Sequence, residues 1–347
     1  MKTLKKKAGL KGIGTVRRSA VDVAADGLIE MDRLAADEIL PLVIRPRLAG
    51  VTLKDWVIGN RDLIHQKLLQ HGGILFRGFS ANSVIEFEDL VKALSGGLLQ
   101  YSYRSTPRSE VEGRIYTSTE YPPDQVIPMH NEMSYSRSWP RKIWFYSVKT
   151  AAQGGETPIA DSRKVYQRIP PAVQDLFRDK GVMYVRNYGA GLDLPWQNVF
   201  NTDDAAEVER HCDAAGIEYE WRGGDRLRTR QTCAAIRQHP ETGEALWFNQ
   251  AHLFHVSSLR PELRQSLLED LTEEELPRNA YYGDGTPIAD ADLAEIRRAF
   301  DEVEVAFPWE EGDLLLLDNM LTAHGRRPFE GQRKVLVGMA EEATAAN

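Results

Sequence analysis

Pro128-Met129-His130-Asn131-Glu132-Met133-Ser134-Tyr135-Ser136 carries two metal-capable side chains one residue apart, His130 and Glu132. On an extended chain, residues i and i+2 project to the same face, so an imidazole nitrogen and a carboxylate oxygen can converge on one cation. Two imidazoles and one carboxylate on one face of an octahedron leave three positions for a co-substrate and dioxygen, so the missing ligand is expected to be a second histidine. His324 is the best candidate. It follows Leu314-Leu315-Leu316-Leu317-Asp318-Asn319-Met320, an apolar run that reads as a buried strand entered through a turn at Glu311-Gly312-Asp313. A lone histidine is more often a core or surface residue than a ligand, so the weight falls on the sequence around these residues.

The chain has 347 residues, 42% of them apolar, enough for one large or two ordinary domains with a real core. No apolar run reaches membrane-spanning length. The first 20 residues are basic and lack the apolar segment of a secretory signal, so they read as a solvated arm. Cys212 and Cys233 have neither metal spacing nor the density of a disulfide scaffold, which fits a reducing cytoplasm. A formal net charge of −8 argues against nucleic acid as a partner.

Residues 21–347 read as one domain. A helix is expected from Thr52 to the stop at Gly72-Gly73, then a strand at 74–79, then a helix capped by Ser83 with Glu86 three residues on, ending near Gly96-Gly97. Residues 101–120 are rich in Tyr, Thr, Ser and Arg, which suits either a polar pocket wall or an exposed hairpin. A strand at 143–148, a turn at Gly154-Gly155, and helices at 165–169 and from Pro170-Pro171 to Gly181 follow. Residues 184–259 read as a lid-like excursion with a helix at 203–215, a loop at 221–225 and a strand at 245–249. His252 and His255 lack a carboxylate at matching spacing, so packing or substrate contact is expected of them. Helices at 261–271 and 290–300 then lead to strands at 303–307 and 333–339, with a turn at 325–331.

Four features in order, His130-x-Glu132, Gly154-Gly155-Glu156-Thr157, Asp318-Asn319 with His324-Gly325-Arg326, and Phe329-Glu330-Gly331-Gln332-Arg333, resemble the taurine dioxygenase/TfdA-like family of Fe(II)- and 2-oxoglutarate-dependent oxygenases. The resemblance implies a mainly β fold with flanking helices, a double-stranded β-helix (jelly roll). It implies that His130, Glu132 and His324 hold Fe(II), that the Thr157 hydroxyl and Arg333 hold 2-oxoglutarate, and that O2 is the oxidant. Arg suits that place because its planar fork can grip a carboxylate with two bonds. Arg326 and Arg327 are also near, but they are expected in the turn directly after His324, too close for the far carboxylate of a chelating keto acid.

The sequence departs from the commonest pattern in carrying Glu132 where many relatives carry Asp. A carboxylate there argues against halogenases, which replace it with a small residue to admit chloride. Catalytic zinc also takes two His and one Glu, but zinc hydrolases carry H-E-x-x-H on a helix, a different spacing, so iron is expected.

Residues 116–132 and the ending Arg333-Lys334-Val335-Leu336-Val337 look closest to family members of nonribosomal peptide biosynthesis, similar to syringomycin-type aspartyl β-hydroxylases. That resemblance implies an amino acid substrate, free or tethered to a carrier protein that the basic arm could help dock. Arg104, Arg108 and Asn131 are candidate substrate contacts. Oxidation of a free small acid or sulfonate, a desaturase or cyclase outcome, and an inactive jelly-roll binding protein are the alternatives, and oligomeric state is left open.

Overall fold

The computed structural model describes residues 27–35, 38–79, 83–99, 110–112, 115–117, 121–189, 194–223 and 225–345. The basic arm and the pair Arg104 and Arg108 lie outside them. The strand Leu314–Asp318 is buried at every position and sits inside an eight-stranded sheet, antiparallel to Gly73–Phe76 on one side and Ser138–Lys149 on the other. Its leucines alternate. Leu314 and Leu316 join a core with Trp56, Leu68 and Phe87 from helices covering the sheet, whereas Leu315 and Leu317 join a second core on the opposite face. Burial on both faces is why this strand reads as an unbroken apolar run.

The covering helices follow their capping signals. Ser83 Oγ accepts the Glu86 N–H at 3.1 Å and starts the helix Val84–Ser95, which stops at Gly96 in the left-handed region. The helix expected from Thr52 to Gly72 is instead two, Leu53–Gly59 and Arg61–His71. Asn60 divides them by donating its side-chain amide to Trp56 O at 2.8 Å, the local competition typical of Asn inside a helix. Arg77, at the end of Gly73–Phe76, is buried against Asp313, with Nε–Oδ1 at 3.0 Å and Nη2–Oδ2 at 2.6 Å, and also donates to Pro308 O at 2.8 Å.

Facing the second core is a four-stranded antiparallel sheet in the order Glu304–Val305, Ile159–Asp161, Thr322–Arg326 and Ile127–His130. Ile159, Phe307 and Trp309 pack there against Phe145, Leu315 and Val337 of the large sheet. Two sheets closed face to face in this way are the expected jelly roll. His324 lies on a strand rather than beyond one. Arg326, expected in the turn after it, ends that strand and is buried, donating to the carbonyls of Tyr121, Pro122 and Gln125.

Much of the excursion at 184–259 is regular structure. Glu218–Arg222, Arg226–Cys233 and Val182–Tyr188 form an antiparallel sheet completed by Arg278–Tyr282, over a core of its own with Phe177, Trp247 and Phe254. Trp221 and Arg222, expected in a loop, finish the first of these strands. Among the described residues no helix is long and apolar enough to cross a membrane.

Candidate metal centre

The strand carrying His130 stops at that residue, and Glu132 sits in the turn that follows. The same-face argument for a strand is therefore not what aligns the pair. His130 is set by strand pairing, since it lies directly opposite His324, with ring centroids 4.5 Å apart and planes at 49°. His130 Nδ1 donates to Pro128 O at 2.8 Å, which fixes the tautomer and puts the metal-binding lone pair on Nε2. Phe145 of the large sheet packs edge-on to His324 with centroids 5.1 Å apart.

Glu132 is set by Asn319. The Asn319 amide accepts the Glu132 N–H at 2.8 Å and donates to the Glu132 carbonyl at 2.9 Å. One ligand atom from each of His130, Glu132 and His324 lies within 4.8 Å of the others, and Glu132 and His324 are buried. Two imidazoles and one carboxylate, all presented from neighbouring backbone, are the donor set that suits Fe(II) with open positions, so the residues present fit the metal.

A second cluster lies along the neighbouring strand. The pairing puts Ile159 opposite His324, and Gly325 N–H donates to Pro158 O at 2.9 Å. Thr157 precedes that strand by two residues, in a segment whose Glu156 O accepts the Arg327 N–H at 3.1 Å. Arg333 Nη2 donates to Thr157 Oγ1 at 3.3 Å and Arg333 Nε to Gly155 O at 2.8 Å. Trp309 Nε1 also donates to Thr157 Oγ1, at 3.1 Å. With both lone pairs of its oxygen engaged, the hydroxyl has its proton to offer to an incoming acceptor.

Gly154 and Gly155 make this packing possible. Both have φ near +70° (65° and 76°), and a Cβ on Gly155 would meet Arg333 Cδ at 3.0 Å. Burial, with Arg326 nearby, pushes Arg333 down to about 10, so it is cationic at neutral pH.

The structure thus brings together His130, Glu132 and His324, and beside them Thr157 and Arg333. Asn131 is fully buried. Its buried amide donates to Ser162 Oγ at 3.1 Å and to Asn319 O at 2.6 Å, bracing the turn. His252 and His255 are packing residues. His252 donates Nε2–H to Met129 O at 2.9 Å and stacks on Phe300, and burial pushes it down to about 3 and His255 to about 4. Sequence reasoning missed Trp309, and Gln250, whose Nε2 donates to Asn131 O at 2.8 Å.

A jelly roll carrying a two-histidine, one-carboxylate triad beside an arginine–hydroxyl pair defines a class of metal-dependent oxygenases. Within it, the chain belongs to the taurine catabolism dioxygenase TauD, TfdA family, which it matches over residues 37–340. It is a dioxygenase whose cofactors are Fe(II), 2-oxoglutarate and O2. The dapdiamide synthesis protein DdaC of Enterobacter agglomerans is 44% identical over 80% of this chain and 84% of its own length. A clavaminate synthase-like protein of Arabidopsis thaliana is 35% identical over 87% of this chain and 93% of its own. The fold is shared with PvcB, an Fe, alpha-ketoglutarate dependent oxygenase from an isonitrile synthetic pathway, with a TM-score of 0.55 at 14% identity over 90% of this chain and 92% of that one.

Proposed function

We propose that His130, Glu132 and His324 hold Fe(II) and that Thr157 and Arg333 hold the far carboxylate of 2-oxoglutarate, in an enzyme that hydroxylates an amino acid or a carrier-tethered aminoacyl group in secondary-metabolite biosynthesis. The observation that carries the site assignment is the meeting of three ligand atoms within 4.8 Å of one another, with Ile159, two residues after Thr157, paired opposite His324. Bound together, Fe(II), 2-oxoglutarate and O2 supply an oxidative decarboxylation, to succinate and carbon dioxide, that drives attack on a substrate C–H bond.

The chain's own residues bind, orient and exclude water. Arg333 and Thr157 offer the co-substrate a cationic fork and a hydroxyl proton, so that its keto acid end is delivered toward the two histidines. Phe145, edge-on to His324, and Trp309, bonded to Thr157, are both buried and put apolar surface beside these groups, which excludes water and strengthens each polar contact there. The excursion at 184–259 acts as the cover on the substrate side; Gln250 and His252 grip the metal segment at Asn131 O and Met129 O.

The amino acid assignment is supported by the resemblance at residues 116–132 and 333–337 and by the 44% identity to a dapdiamide synthesis protein. The test is to supply Fe(II), 2-oxoglutarate and air with free amino acids, carrier-loaded aminoacyl groups and small sulfonates in parallel, and to follow succinate and product mass. The expected result is substrate-stimulated succinate and one added oxygen atom with an amino acid or its carrier-bound form. Stimulation by sulfonates alone would overturn the substrate assignment while leaving the site intact.

A further inference from the structure

Asp318-Asn319 has no role in the chemistry above, yet it is one of the most heavily bonded turns in the molecule. Besides bracketing both backbone groups of Glu132, Asn319 donates its amide to Pro140 O at 2.8 Å and its N–H to Arg141 O at 2.8 Å. Asp318 Oδ1 accepts the N–H groups of Met320 and Leu321 at 2.9 and 3.0 Å. Its other oxygen faces His239 Nε2 at 3.2 Å. His239 Nδ1 accepts the N–H groups of Glu241 and Thr242, so the ring proton is on Nε2 and is donated to Asp318.

A ligand on a strand is aimed by the sheet, but Glu132 is on a turn with no sheet register to aim it. The residue after it, Met133, has φ +56°, a left-handed conformation that is unfavourable for a non-glycine residue and persists only where its surroundings impose it. The groups around the turn impose it. His239 comes from the hairpin formed by Ile236–Gln238 and Ala245–Trp247, part of the excursion.

We propose that Asn319 and His239 are positioning residues for Glu132: His239 orients Asp318, the Asp318–Asn319 turn is held in one conformation, and Asn319 then aims the carboxylate at the metal. The excursion is thereby part of the frame of the metal site as well as a cover for substrate. The inference rests on the assignment of Glu132 as a ligand.

The test measures Fe(II) affinity anaerobically by competition with a chromophoric chelator, the visible ligand-field spectrum of the Co(II)-loaded protein, and the melting temperature of the metal-free protein. Asn319→Ala and Asn319→Asp are expected to raise the Fe(II) Kd about 10- to 100-fold, as loss of a group supporting a metal ligand does, and to shift the Co(II) spectrum. His239→Leu shifts both in the same direction, and His239→Gln, which restores a donor toward Asp318, recovers them. Phe87→Leu, in the core under the far helices, lowers the melting temperature and leaves Fe(II) affinity unchanged.

Asn319→Asp and His239→Leu binding Fe(II) within twofold of the parent, with its Co(II) spectrum, would overturn the proposal. If Asn319→Ala does not fold, the Asn319→Asp and His239 variants decide the matter by the same criteria. A parent that binds no Fe(II), or a Glu132→Ala variant that binds it as the parent does, identifies a separate failure, that of the ligand assignment, and removes this inference with it.

Discussion

Arg333 offers the sharpest perturbation of the site. Its guanidinium already spends Nε on Gly155 O and Nη2 on Thr157 Oγ1, so it is locked in place before any co-substrate arrives. Removing one partner of a buried, hydrogen-bonded charge pair costs about 2–5 kcal/mol. For Arg333→Ala that is a loss of roughly 30- to 4,000-fold in 2-oxoglutarate affinity, at tenfold per 1.4 kcal/mol. Arg333→Lys keeps the charge but loses the fork, so one charged hydrogen bond, about 1.5–3 kcal/mol, separates it from the parent. Thr157→Val removes a neutral donor and should cost about 1 kcal/mol. Anaerobic calorimetry of the Fe(II)-loaded protein reads all three. Fe(II) affinity is expected to stay at the parental value throughout, because the two residues are assigned to the co-substrate and not to the metal. Arg333→Ala binding 2-oxoglutarate within threefold of the parent, or losing Fe(II) at the same time, would refute this reasoning.

Gly155→Ala places a methyl at φ +76° against Arg333, Ala151 and Phe329 at 3.0–3.1 Å, so 2-oxoglutarate affinity should fall about 5- to 30-fold in the same calorimetric assay. His252 and His255 are held near 3 and 4 by burial, below their ordinary 6.5, so the unfolded chain binds the extra protons. Their contribution is intact above pH 6.5 and is lost as pH falls from there toward 4, at up to about 1.4 kcal/mol per unit for each. Urea midpoints between pH 7 and 4.5 should fall accordingly, and His252→Phe should flatten the slope. Arg77→Leu strands buried Asp313 and should cost about 3–5 kcal/mol in urea unfolding, while Arg77→Leu combined with Asp313→Leu should recover much of it.

The parts of the fold written in local pattern were legible. The leucine run at 314–317 declared a strand buried on both faces, and Ser83, Gly96 and Gly181 marked helix ends where the structure has them. The triad was legible because metal chemistry restricts residue types, although the strand geometry invoked for Glu132 was wrong: a turn, which has no periodicity, carries it. What aims Glu132 is Asn319, 187 positions away in sequence, and such long-range bonds leave no local trace. The same holds for Trp309 on Thr157 and Gln250 on Asn131. The split at Asn60 was readable in principle, since Gly59-Asn60 interrupts the helical pattern with two poor helix formers.

The most direct measurement is anaerobic visible absorption of the metal-free protein on adding Fe(II) and then 2-oxoglutarate, with Glu132→Ala and His324→Ala alongside. A charge-transfer band that appears in the parent only when both are present, and in neither variant, is the predicted result, because the co-substrate must chelate a metal held by those residues. Absence of the band in the parent, or its undiminished presence in Glu132→Ala, would contradict the account.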